Sequence, residues 1–128
     1  MKQLIAILVL TFTLHQSQAQ SVYYASQATK GSWNSYSQKY VWGTPNSVSI
    51  RFTIQGDIVL VGDRSNSTYT TSHQTLNRAN NDGSHEYAWQ ATDERGVSCI
   101  FKMINYSDGS KLMFVFYSDY AYMYTFNN

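Results

Sequence analysis

Cys99 is the only cysteine in 128 residues. No intramolecular disulfide can form, and a metal site built from several thiolates is excluded. Charge is also scarce: Asp, Glu, Lys and Arg make up 13% of the chain, with a formal net charge of +1. Such a balance lacks the basic footprint of a nucleic-acid binder and the polybasic patch of a protein held on anionic membranes. The longest apolar run, Leu4–Leu14, has eleven residues. A helix that crosses a bilayer needs roughly 20, so no membrane span is expected in the mature chain. There is no Gly-x-Ser-x-Gly nucleophile elbow and no glycine-rich phosphate loop. Internal repeats, domain linkers and low-complexity tracts are absent as well.

The short apolar run has a meaning of its own. Lys2 supplies a positive start, Leu4–Leu14 an apolar middle, and Ser17-Gln18-Ala19 small residues on the near side of a cut after Ala19. This is the layout of a cleaved secretory signal peptide over residues 1–19. The expected localisation is therefore exported: periplasm, cell surface or medium. No cysteine follows the cut, which argues against a lipid anchor there. What remains, 20–128, is the length of one domain. It can bury roughly 60–70% of its unfolded surface without staples.

The central stretch is Ser47–Gly62, reading SVSIRFTIQGDIVLVG. Val48, Ile50, Phe52 and Ile54 alternate with Ser49, Arg51, Thr53 and Gln55, the pattern of a half-buried strand. Gln55-Gly56-Asp57 is a turn signal and Ile58–Val61 a second strand, so the pair reads as a hairpin. Two registers are open: Leu60 joins the Phe52 face, or Val59 and Val61 do. Before it, 20–32 has no clean period and reads as an irregular lead-in, and Trp33–Trp42 reads as a strand. Gly43-Thr44-Pro45-Asn46 is a turn. After the hairpin, Thr68–Ser72 is β-prone and His73–Ser84 reads as the longest irregular loop. Asp93–Gly96 and Asn105–Ser110 are hairpin turns, flanked by strands at Tyr87–Ala91, Val97–Ile104 and Lys111–Tyr117. In the last strand Tyr120, Tyr122, Tyr124 and Phe126 share a face. No helix is expected. The fold class is all-β: a single antiparallel meander of seven or eight strands, forming a small barrel or a two-layer sandwich.

Two segments carry a resemblance. Tyr87-Ala-Trp89-Gln-Ala-Thr-Asp93-Glu-Arg-Gly96-Val-Ser-Cys99 follows a hairpin like Ile50–Val61, and Tyr117-Ser-Asp119-Tyr-Ala-Tyr122 lies near the end. In this order, over about Val48–Phe126, the chain resembles small β-rich proteins of unknown function exported by bacteroidete bacteria. The resemblance implies a bacterial exported protein and carries no site residues. At the level of fold it is also similar to lipocalin-like meander barrels. Gly31-Ser-Trp33 has the lipocalin Gly-x-Trp spacing but lacks the surrounding pattern.

Chemistry-bearing constellations are few. His73 and His85 could join Asp82 or Glu86 around a metal, but their spacing of twelve residues matches no ligand motif. No metal or cofactor is expected. Asp93 and Glu94 are adjacent, so their side chains diverge, whereas acid–base work needs two groups aimed at one bond. Asn66-Ser67-Thr68 and Asn105-Tyr106-Ser107 match the glycosylation sequon, which matters only in a eukaryotic secretory host. Cys99 shares a face with Val97, Phe101 and Met103 and reads as a small buried hydrophobe.

Aromatic residues are the one enrichment with functional promise, at 16% of the chain. Trp33, Trp42, Trp89 and the Tyr120/Tyr122/Tyr124 stripe could form one stacking platform; equally, such residues fill sheets and cores. Trp89 and Tyr122 are the candidate contact residues. The expected function is a non-enzymatic binding or interaction module for a glycan, a small apolar molecule or a protein. The alternative is an assembly protein that pairs through exposed edge strands.

Overall fold

The computed structural model describes residues 20–62 and 67–127. The signal segment with its cut at Ala19, and Asn66 of the first sequon, lie outside the described residues. Nine strands follow in order: β1 (Gln20–Asn34), β2 (Lys39–Trp42), β3 (Asn46–Gln55), β4 (Ile58–Val61), β5 (Ser67–Ala79), β6 (His85–Asp93), β7 (Ser98–Asn105), β8 (Lys111–Phe116) and β9 (Tyr120–Phe126). From β3 to β9 each strand pairs antiparallel with the next, while β1 pairs with both β3 and β9. The meander thus closes as an eight-stranded barrel. Closure of β1 onto β9 removes most of the free edges that a sandwich would keep. β2 is an extra strand that continues the line of β3 along the far end of β1, pairing Gly31–Asn34 with Lys39–Trp42.

Pairings fix which side chains enter the lumen. Phe52 faces Val61 and Ile54 faces Val59, so the β4 valines point inward and Ile58 and Leu60 outward. The hairpin therefore takes the second of the two registers open in the sequence. Phe52, Phe101, Met113 and Val115 are the largest fully buried side chains. They plug the barrel at mid-height. Phe52 meets the rings of Tyr124 and Phe126 edge-on at 4.8 and 4.9 Å. Burying a side chain of this kind stabilises by roughly 1.5–3 kcal/mol.

Three stretches differ from the sequence reading. The supposed lead-in 20–32 is part of the longest strand, β1. Its register slips between Ala25 and Gln27, and a one-residue slip exchanges the faces and erases a period of two. The supposed strand Trp33–Trp42 is a hairpin. Asn34 Oδ1 accepts hydrogen bonds from the amides of Tyr36 and Ser37, an Asx turn without glycine or proline. The supposed long loop His73–Ser84 is mostly strand. β5 runs to Ala79 with register slips after Thr71 and Gln74, and its polar residues on both faces conceal it.

The remaining loop, Asn80–Ser84, is one of three alike. Asn80, Asp93 and Tyr106 each accept at their carbonyl from a glycine three residues on and donate their amide to the residue after it. Those glycines, Gly83, Gly96 and Gly109, have φ of 88°, 81° and 91°. This is the three-residue hairpin closed by a left-handed glycine. In two of them, Asp82 and Asp108 accept from both the amide and the hydroxyl of the following serine, Ser84 and Ser110.

Candidate functional site

The plug divides the lumen into two mouths. The lower mouth lies at the end with the β3–β4 turn and the loops 80–84 and 106–110. The upper mouth lies beside the Asp93–Val97 loop and Tyr117–Asp119.

A cavity of about 270 Å³ opens at the lower mouth, walled by Tyr23, Ile54, Val59, Trp89, Phe101 and Met103. Trp89 reaches it because β6 alternates: Tyr87, Trp89 and Ala91 face inward, and Trp89 pairs across to Gln74 and Phe101. Below it the same face continues as a ladder of rings. Tyr87 stacks on Trp89 at 5.9 Å and 12°, and His85 stacks on Tyr87 at 4.4 Å and 12°. The lower half of β5 has no partner on its other side among the described residues, while the lower end of β6, which carries the ladder, is paired in register with β7, β8 and β9. Lys111 lies at the same end of the barrel, in a neighbouring recess that it lines with Tyr23, Tyr24, Gly109 and Phe126. Its ammonium stands 5.4 Å from the centroid of the Tyr23 ring, a cation–π contact, and it has no ion pair among the described residues.

The upper mouth is different chemistry. A cavity of about 430 Å³ is lined by Tyr69, Tyr117, Tyr120, Tyr122 and Tyr124, with Glu94 and Arg95 at the rim. Lys30 stands over the rings of Tyr120 and Tyr122 at 5.2 and 6.0 Å. Burial pushes the Tyr69, Tyr117 and Tyr124 hydroxyls above the ordinary phenol value, so they stay protonated. The floor is fixed by Asp93, a buried carboxylate. It accepts from the Arg95 guanidinium at 2.7 and 3.1 Å, from the Tyr117 hydroxyl at 2.8 Å, and from the amides of Arg95 and Val97 at 2.9 Å each. Burial alone would push this carboxyl up. Those hydrogen bonds outweigh it and hold the carboxyl at about 2. All of its acceptor capacity is used in holding the hairpin, so Asp93 is a structural latch.

The two candidate contact residues both line cavities, Trp89 below and Tyr122 above. They do not meet. The single stacking platform expected from the sequence is split three ways, because Trp33 and Trp42 pack outside the barrel against Tyr40, Phe114 and Phe116. The same packing explains why β8 is apolar on both sides: Met113 and Val115 enter the lumen, and Phe114 and Phe116 lie under the aromatics of β2. Sequence reasoning missed Tyr23, since it sits in the stretch whose period the β1 slip hides. It also missed the contact of Lys111 with the Tyr23 ring, for which no local signal exists.

The histidines are separated. His73 pairs with Gln90 on the outer face, while His85 pairs with Ala79 on the inner face and hydrogen-bonds to Asn77. Among the described residues no group of three His, Cys, Asp or Glu side chains could hold a metal, and no histidine nitrogen hydrogen-bonds to a serine. Glu94 points away from Asp93, accepting from the Thr68 amide. Asn105 of the second sequon is in β7, with its Oδ1 covered and without a hydrogen-bond partner. No helix among the described residues is long and apolar enough to cross a membrane. Comparison with known protein families, with curated proteins and with solved structures found no match.

Proposed function

We propose that the protein is an exported, non-enzymatic binding module whose lower mouth takes a small, flat, apolar ligand. One observation carries this reading: an apolar cavity is lined by Trp89, whose ring heads a stack continued by Tyr87 and His85. Nearly parallel ring faces favour a planar partner. The volume of about 270 Å³ lies just under the range of ligand clefts, about 300–1,000 Å³, which selects a molecule of one or two fused rings. Lys111, in the neighbouring recess against the Tyr23 ring, sets a positive charge beside this cavity and would favour a carboxylate on that ring system. Export rests on the signal pattern of residues 1–19 and on the resemblance to exported bacteroidete proteins.

The assembly reading has less support. Closure leaves β2 and the lower half of β5 as free edges, and the two register slips in β5 blunt it for pairing. The test is a thermal-shift series with fused-ring aromatics and their carboxylates. A ligand at 100 times its Kd stabilises by about 2.7 kcal/mol, a shift of several degrees for a domain of this size. The shift is expected to vanish in Trp89→Ala and to persist in Tyr122→Ala. A panel with no saturable shift, or a shift indifferent to Trp89, overturns the proposal.

A further inference from the structure

We infer that the outer wall of the barrel carries a second site, an open groove suited to a neutral oligosaccharide. The groove crosses the upper halves of β5 to β8 and encloses about 470 Å³, more than either mouth. It is outside the lumen: Gln90, Ile100 and Phe116 are lateral neighbours on the outer face, while Cys99 and Ala91 beneath belong to the core.

Its two sides differ in kind. One is aromatic. Phe116 stacks on Phe114 at 5.3 Å and 9°, and the Tyr40 ring stands 5.2 Å from Phe116. Tyr40 is tied down because its hydroxyl donates to the Tyr117 carbonyl. Both rings are half-buried, so each is held by its neighbours and still presents surface. The other side is neutral and polar: Ser72, Gln90, Thr92 and Ser98, all exposed. None of the residues that line the groove is charged.

This combination points to one ligand chemistry. A pyranose has an apolar C–H face that packs on aromatic rings and a rim of hydroxyls that pair with amides and hydroxyls. An anionic or cationic ligand would meet no opposite charge here. A purely apolar ligand would desolvate the hydroxyl wall without pairing it, at a cost. Packing does not explain the polar wall either. Gln90, Thr92 and Ser98 bury little, and the Ser72 hydroxyl makes only a long bond of 3.4 Å to the Gln90 carbonyl.

The experiment is an amide-shift titration of the isotope-labelled protein with short neutral oligosaccharides of glucose, xylose, mannose and N-acetylglucosamine, with oligogalacturonate as the anionic control. The expected result is saturable shifts at Gln90, Thr92, Ser98 and Ile100 with at least one neutral series and none with the anionic one. Phe116→Ala risks the outer aromatic packing, so the diagnostic variant is Gln90→Ala/Thr92→Ala, on the exposed wall. It is expected to weaken binding about tenfold with the fold intact, the loss of one or two hydrogen bonds. No saturable shift with any neutral series overturns the inference, as do shifts of equal size with oligogalacturonate or affinity unchanged in the double variant. Shifts at these residues that follow protein concentration in place of sugar would assign the groove to a second copy and overturn it too.

Discussion

Trp42 stands opposite Gly31 in the pairing of β1 with β2, and its indole fills the space that a side chain on Gly31 would need. A Cβ there would lie 2.8 Å from Cε3 of the indole. On the other side of Gly31 comes Ala121, which has no exposed surface, and then Phe116. Two small residues in a row thus let one indole lie across β1 and β9 and reach the β8 rings. This is what fastens the extra strand to the closed barrel. Gly31→Ala is expected to lift Trp42 and to destabilise the fold by about 1–3 kcal/mol, the usual cost of overfilling a packed site. Urea unfolding measures the loss, and stronger quenching of tryptophan emission reports the displaced indole. Unchanged stability would mean the indole is not seated on the glycine.

Acid should act on the Asp93 latch. Its carboxyl titrates at about 2 in the fold against 3.8 for a free side chain. A group whose pKa is lower in the folded state stabilises in its charged form. Its contribution is therefore complete above about pH 4 and is lost as the pH falls from there towards 2. Asp93→Asn is expected to lower stability at neutral pH and to flatten the part of the acid-unfolding curve between those values. Tyr117→Phe removes one donor, raises the Asp93 pKa, and should move the acid midpoint to higher pH. Thermal unfolding followed across that window by circular dichroism gives both answers.

These two features differ in how far the sequence announces them. β3 shows a clean period because its inner face meets the lumen and its outer face carries polar side chains throughout. Val48, Ile50, Phe52 and Ile54 then stand out among polar neighbours. β1 and β5 contain slips, at Ala25–Gln27, after Thr71 and after Gln74, and each resets the phase that reading relies on. β8 loses its period for the opposite reason, since both of its faces are covered. The hairpin turns at Gly96 and Gly109 were legible because a left-handed position selects glycine; the like turn at Gly83 was not, because it lies in the polar stretch His73–Ser84. At the site, the alternation that puts Trp89 on one face with Tyr87 and Ala91, and Tyr122 on one face with Tyr120 and Tyr124, was legible. That they lie on opposite sides of a plug was not, because it depends on the closure of β1 onto β9. No local pattern encodes a pairing of Gln27 with Thr125.

Cys99 should be chemically silent in the folded protein. Burial pushes its thiol up to about 11, helped by the nearby charges of Asp93 and Glu94, and the side chain is 6% exposed. Reactivity belongs to the thiolate, which is scarce at neutral pH on a side chain that belongs to the buried core. A chromogenic disulfide reagent at mildly alkaline pH is expected to modify Cys99 only at the rate of transient opening. Adding urea should raise that rate in step with the unfolded fraction. Fast, stoichiometric modification under native conditions would contradict this placement of the side chain.

The mid-height plug makes the two mouths energetically separate, and this can be tested without knowing either ligand. Phe52 is fully buried and touches the rings of Tyr124 and Phe126, so it belongs to the wall between the cavities. Phe52→Ala removes that wall and leaves a hole. The expected cost is about 3–5 kcal/mol, read from urea unfolding. Phe52→Leu keeps most of the volume and should cost much less. With the wall intact, the tyrosine ring signals of the upper mouth should not respond when a flat probe saturates Trp89 at the lower mouth. Mutations more than about 7–10 Å apart with no shared partner usually add, so Trp89→Ala and Tyr122→Ala are expected to change stability additively. In the Phe52→Ala background the two should become coupled, because the cavities they line would then be joined. Non-additivity already present with Phe52 in place would show that the lumen transmits between its ends and that the plug is not a divider.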